Sequence, residues 1–94
     1  MSEAQIVNKL VEAILAKGYS ISLEAEYEPF LDNSRDKDEI LRNVDASDYM
    51  LVKIDESDRW FLLIWGNDED IISDFAATPL CNEIYEEVRQ ATGI

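Results

Sequence analysis

Two runs rich in strand-forming residues, Tyr49–Ile54 (YMLVKI) and Trp60–Trp65 (WFLLIW), are separated by little more than Asp55-Glu56-Ser57-Asp58. Runs joined by so short a gap pair as antiparallel neighbours, because a parallel return needs a crossover of about a dozen residues or more. An antiparallel sheet is therefore the first requirement on the fold. The second run is apolar at every position. It is expected at the centre of the sheet, with layers on either side or a helix over one face. Ile71–Phe75 reads as a third antiparallel strand, turned back at Gly66-Asn67.

Helical patterns bracket this meander. Ser2-Glu3-Ala4-Gln5 has the capping-box spacing, Ile6, Val7, Leu10, Val11, Ile14 and Leu15 form one stripe, and Lys17-Gly18 supplies a stop. Tyr19, Ile21 and Leu23 then alternate with polar residues, as in a half-buried strand. The extended stretch continues through Ala25-Glu26-Tyr27-Glu28 until Pro29 interrupts any ladder, and Phe30 and Leu31 are expected to touch the core again. A short second helix over about residues 35–44, capped by Ser34 or Asp32, would bury Ile40, Leu41 and Val44. Thr78-Pro79 opens the last helix, with Leu80, Ile84 and Val88 spaced by four. The expected order is α-β-α-β-β-β-α. That is an α+β fold with a small antiparallel sheet of three to four strands and helices packed mainly on one face. The 94 residues have room for one core, hence a single domain over 1–94.

Charge is the compositional outlier. Twenty-one acids against eight bases give −13, with no histidine. Residues 24–74 hold sixteen acids and five bases, a net of −11, whereas residues 1–23 sum to zero. No tail or low-complexity tract carries the excess, so it must decorate folded structure.

Several chemistries are excluded or weakened. Without histidine there is no Ser-His or Cys-His pair. Cys81 falls near the start of the last helix, but net negative surroundings oppose a reactive thiolate, and helix packing is its expected role. Glycines at 18, 66 and 93 are too far apart for a phosphate loop. An enzyme is not expected, and no cofactor is implied. Asp32-Asn-Ser-Arg-Asp36-Lys-Asp38-Glu39 superficially resembles a calcium loop but has Lys37 where the turn glycine belongs and Asn43 where the closing glutamate belongs. Asp68, Glu69, Asp70 and Asp74 could collect a hard cation only weakly, and a solvated acidic turn is the simpler reading. Direct nucleic-acid binding is opposed because the eight bases are scattered among acids. No apolar run approaches the roughly 20 residues of a membrane span. The first segment lacks a signal-peptide core, and one cysteine fits a reducing compartment. A bacterial cytoplasmic location is expected.

A surface that repels nucleic acid attracts proteins that bind it. In one extended segment Glu24, Glu26 and Glu28 would project to one side about 6.7 Å apart, on the scale of phosphates along a strand. Asp36, Asp38 and Glu39 form a second cluster, Asp55, Glu56 and Asp58 a third, and Asp68, Glu69 and Asp70 a fourth. Displayed together they would offer a phosphate-like array to a basic groove; separately, acids of this kind only solubilise a surface and guard sheet edges. Trp60, Phe61 and Trp65 are expected in the core, while Tyr27, Tyr49 or Trp65 could anchor a partner at a strand end.

The block Trp65-Gly66-Asn67 with Ile71-Ile72-Ser73-Asp74-Phe75, preceded by the hairpin and by Lys17-Gly18-Tyr19-Ser20-Ile21-Ser22, resembles small phage- and plasmid-borne proteins. The layout is also similar to that of some acidic anti-CRISPR proteins, which occupy nucleic-acid-binding surfaces of a CRISPR effector. That resemblance implies that the acids at 24–28, 55–58 and 68–70 face such an effector. The expected function is a nucleic-acid-mimicking inhibitor of a host defence protein, a nuclease or CRISPR effector, acting as monomer or homodimer. Alternatives are an immunity or antitoxin-like protein against a nuclease toxin, and an acidic adaptor without mimicry.

Overall fold

A computed structural model describes residues 2–26, 28–55 and 58–94. Helix α1 (Glu3–Ala16) leads into strands β1 (Ile21–Ala25) and β2 (Glu28–Ser34). Helix α2 (Lys37–Asn43) follows, then β3 (Tyr49–Ile54), β4 (Trp60–Ile64), a 3-10 turn at Asp68–Asp70, β5 (Ile72–Phe75) and helix α3 (Pro79–Thr92). The five strands form one antiparallel sheet in the order β2-β1-β3-β4-β5. The fold class is α+β as expected, but with more strands and a different order.

The added strand is β2. Extended backbone at residues 24–28 does not run straight on: Ala25 pairs with Glu28, so the chain reverses between them, and Glu26 takes a positive φ of 47°. Tight hairpins favour that conformation because it matches the strand twist. Pro29 then sits inside β2. A proline is tolerated there because β2 is an edge strand, so no outer neighbour needs its missing N–H. The pairing of β1 with β2 slips twice, between Ile21 and Leu23 and between Leu23 and Glu24. The second correction concerns the middle of the sheet. Strand β4 has neighbours on both sides, but β3 occupies the central position.

Alternation assigns one face of the sheet to the core. Ile21, Leu23, Met50, Val52, Ile54, Phe61 and Leu63 are fully buried and form one cluster with Ile6, Leu10 and Ile14 of α1, Ile40 of α2 and Cys81 and Ile84 of α3. All three helices therefore cover the same face. Phe61 stacks on Phe75 at 5.6 Å between ring centroids, and Phe75 on Tyr85 of α3 at 4.8 Å, joining β4, β5 and α3.

Helix ends follow local chemistry. In α1 the Ser2 hydroxyl accepts from the Gln5 N–H at 3.2 Å while the Gln5 side chain accepts from the Ser2 N–H at 2.9 Å. The cap of α2 is Asp36, neither Ser34 nor Asp32. Its carboxylate accepts from the amides of Asp38 and Glu39 at 3.0 and 3.3 Å. Ser34 acts one step earlier, accepting from the Asp36 N–H and donating to Glu39 Oε1 at 2.7 Å. Thr78 caps α3 by accepting from the Cys81 N–H.

Candidate functional site

Among the described residues, no layer covers the face of the sheet opposite the helices. Strand register places its side chains in rows. One row crosses all five strands as Pro29, Glu24, Leu51, Leu62 and Asp74. A second holds Ser22, Lys53 and Trp60, and a third holds Tyr49 opposite Ile64. Leu51, Leu62 and Ile64 belong neither to the core cluster nor to the apolar side chains packed against it. They are half-buried, and Tyr49 is 45% exposed. The result is an apolar patch on β3 and β4 with carboxylates on either side. Where the patch meets Glu24 and Glu26, a hollow of about 340 Å³ is lined by those two acids, Tyr49 and Leu51.

Apart from Glu24, the sequence-nominated acids lie in two groups at opposite ends of the sheet. Glu26 and Glu28 sit at the end of the sheet where Ala25 and Tyr49 lie, and Asp68, Glu69 and Asp70 follow Ile64 at that same end. Asp36, Asp55 and Asp58 lie at the opposite end, beside Ser34, Ile54 and Trp60, and Asp38 and Glu39 start α2 there. Strands of five or six residues hold the groups apart by about 17–20 Å. Glu24, Glu26 and Glu28 do not form the single row expected of one extended segment. The reversal after Ala25 leaves Glu24 on the open face, Glu26 in the turn and Glu28 on the edge strand. Glu56 and Tyr27 lie outside the described residues.

Some of these acids have tasks within the fold. Asp36 is a helix cap and Glu39 accepts from Ser34. The Asp55 carboxylate accepts from the Ser20 N–H at 2.7 Å and from its hydroxyl at 2.9 Å, while the Asp55 N–H donates to the Ser20 carbonyl. This reciprocal latch ties the β3–β4 turn to the start of β1. The Ser20 amide, its hydroxyl and nearby Arg59 hold the Asp55 carboxyl below its ordinary range against the opposing effect of burial. The acidic 3-10 turn is held from α1. Glu3 accepts from Gly66 N–H at 2.6 Å and Asp68 N–H at 3.2 Å, where Gly66 has a φ of 100° and Asp68 one of 54°.

No protein-family model, curated protein or solved structure matches the chain. What the surface does must be argued from its residues. Among the described residues, the nominated acids in ion pairs are Glu24 with Lys53 at 3.6 Å and Asp55 with Arg59 at 4.0 Å. Lys9, Lys17, Lys37 and Arg89 pair instead with Glu12, Glu83, Glu86 and Glu87 on the helices. Four of the eight bases are thus paired on the helical layer, while Lys53 and Arg59 pair on the sheet and Arg35 stands near Asp55. Among the described residues no three His, Cys, Asp or Glu side chains gather to hold a metal ion, and no helix is long and apolar enough to cross a membrane. Cys81 is fully buried in the core cluster.

Of the aromatic anchor candidates, Trp65 is half-buried and its indole N–H donates to the Val44 carbonyl at 3.1 Å, fastening the end of α2. Tyr49 is the exposed one. The residues that sequence reasoning missed are Leu51, Leu62, Ile64 and Asp74 on the open face. For Leu62 and Ile64 the signal was the apolar character of β4 on both sides, which was assigned to burial.

Proposed function

We propose that this protein is an acidic, stoichiometric inhibitor that binds the basic nucleic-acid site of a host defence protein, in the anti-CRISPR or anti-restriction manner, inside a bacterial cell. One observation carries the reading. Among the described residues, Glu26, Glu28, Asp38, Asp58, Asp68, Glu69 and Asp70 are exposed at the sheet ends and take part in no ion pair with a described base. A small body that keeps such a charge incurs self-repulsion, which a basic partner relieves. Two acidic groups at opposite ends of the sheet suit a partner with Lys and Arg at two separated places, and such a complex forms fast and weakens with salt. The proposed role is binding: histidine is absent, so no Ser-His or Cys-His pair can form, and Cys81 is buried.

The test is affinity capture from host lysate with elution by a salt gradient, followed by competition with nucleic acid for the captured protein. Recovery of a nuclease or CRISPR effector in the salt-sensitive fraction, displaced by its own nucleic acid, is the expected result. Binding that is unchanged from low to near-molar salt overturns it. Protection against one cognate nuclease toxin only would assign the same contact to an immunity protein.

A further inference from the structure

We infer that the uncovered sheet face is a docking site for a basic amphipathic helix of the partner, laid along β3 and β4 with its apolar stripe on Tyr49, Leu51, Leu62 and Ile64. The inference shares with the proposed function only the sign of the partner's charge. Three observations lead to it. The cross-strand pairs Tyr49–Ile64 and Leu51–Leu62 stack in successive rows. Alternate residues along a strand repeat at about 6.8 Å. Side chains four apart on a helix repeat at about 6 Å, so one helical stripe can meet successive rows.

The second observation is width. In the row Glu24, Leu51, Leu62, Asp74, the two carboxylates are three strand spacings apart. That is about 14 Å. A helix with its side chains is about 10–12 Å across, so it fits between them with Lys or Arg on each flank reaching an acid. The third is the hollow formed by Glu24, Glu26, Tyr49 and Leu51. Its floor is apolar and its walls are carboxylates, which suits the aliphatic stem and charged head of a lysine or arginine. Glu24 is already paired with Lys53, so Glu26 is the carboxylate left for the incoming cation, with the Tyr49 ring beside it.

A second copy of this chain is the poorer occupant. Each copy carries −13, and stacking two open faces sets Glu24, Glu26 and Asp74 of one against a like-charged surface of the other. An anionic lipid surface is opposed by the same charges.

The experiment uses the whole protein and three synthetic helical peptides of about 18 residues, some 27 Å long. One has leucines at helical spacing with lysines elsewhere, one has the same composition scrambled to remove the stripe, and one has glutamate in place of lysine. Amide and methyl NMR shifts map the contact without any mutation, and titration calorimetry gives the affinity. The Leu/Lys peptide is expected to perturb Tyr49, Leu51, Leu62 and Ile64 most, and to bind about tenfold or more tighter than either control. Replacing both leucines, Leu51→Ser with Leu62→Ser, is expected to weaken it about tenfold or more. Replacing Glu26→Gln with Asp74→Asn should weaken it several-fold at low salt and little at high salt.

Shifts confined to residues 26 and 68–70, equal binding of patterned and scrambled peptides, or self-association of the protein through Leu51 and Leu62 would each overturn the inference. If a captured nuclease is still inhibited by the double serine variant, the docking face is wrong while the proposed function stands. If the patterned peptide binds as described and no nucleic-acid-binding protein is ever captured, the proposed function fails and the docking face stands.

Discussion

Asp55 illustrates how one carboxylate can matter to the fold while sitting among surface acids. Its left-handed backbone, with φ of 53°, aims the side chain at the Ser20 amide and hydroxyl. Because its folded pKa lies below the ordinary value of 3.8, the stabilisation is complete above that value and is lost as pH falls through the lower, folded one. In Asp55→Asn a carbonyl can still accept from Ser20, so only the charge-assisted part goes. The side chain is also 40% exposed, which reduces that part by solvent screening. The variant should lose about 1 kcal/mol near pH 7 and converge on the parent as pH falls through the lowered range of the Asp55 carboxyl, as read from urea midpoints across pH. An unchanging gap would sink this account of the latch. Glu3 makes a second test. Glu3→Ala removes the acceptor for the Gly66 and Asp68 amides, so their hydrogen exchange should accelerate with a stability cost of about 1 kcal/mol. Unaltered exchange at those two amides would show that the turn is held by other means.

At the level of elements, the aromatic stack Phe61–Phe75–Tyr85 is where β4, the edge strand β5 and α3 meet. Phe61 is fully buried, so Phe61→Ala should cost about 3–5 kcal/mol in denaturant unfolding, a large fraction of the stability of so small a domain. A loss under about 1 kcal/mol would mean that the stack closes over the space. Most elements were legible in the sequence because each obeys one period throughout. The stripe of α1, the β3–β4 hairpin and the Thr78-Pro79 start of α3 appear where the pattern places them. Strand β2 was illegible for a physical reason. Its proline, its acids and two pairing slips erase alternation, and only an edge position makes them tolerable. The cap of α2 was misplaced because Asp32, Ser34 and Asp36, all of types able to cap, stand within five positions, and Ser34 interlocks with Asp36 and Glu39.

For the molecule as a whole, charge and architecture act together. The excess acids repel one another, and this outweighs the attraction in the few ion pairs, all of which involve partly exposed side chains. Added salt should therefore raise the thermal midpoint by a few degrees between about 0.02 and 0.3 M NaCl, where screening changes most. A midpoint that falls would mean that the ion pairs dominate. The open face was illegible because an apolar strand looks the same whether both of its sides are covered or one is merely shielded by its neighbours. Only the placement of all three helices on one side of the sheet decides it. This two-layer arrangement separates the residues that keep the chain folded from those proposed to meet a partner. Strand by strand they alternate, so Leu51, Leu62 and Ile64 can change while Met50, Val52, Phe61 and Leu63 stay as they are. A lineage pressed by a changing adversary could redraw its recognition surface position by position without passing through an unfolded ancestor.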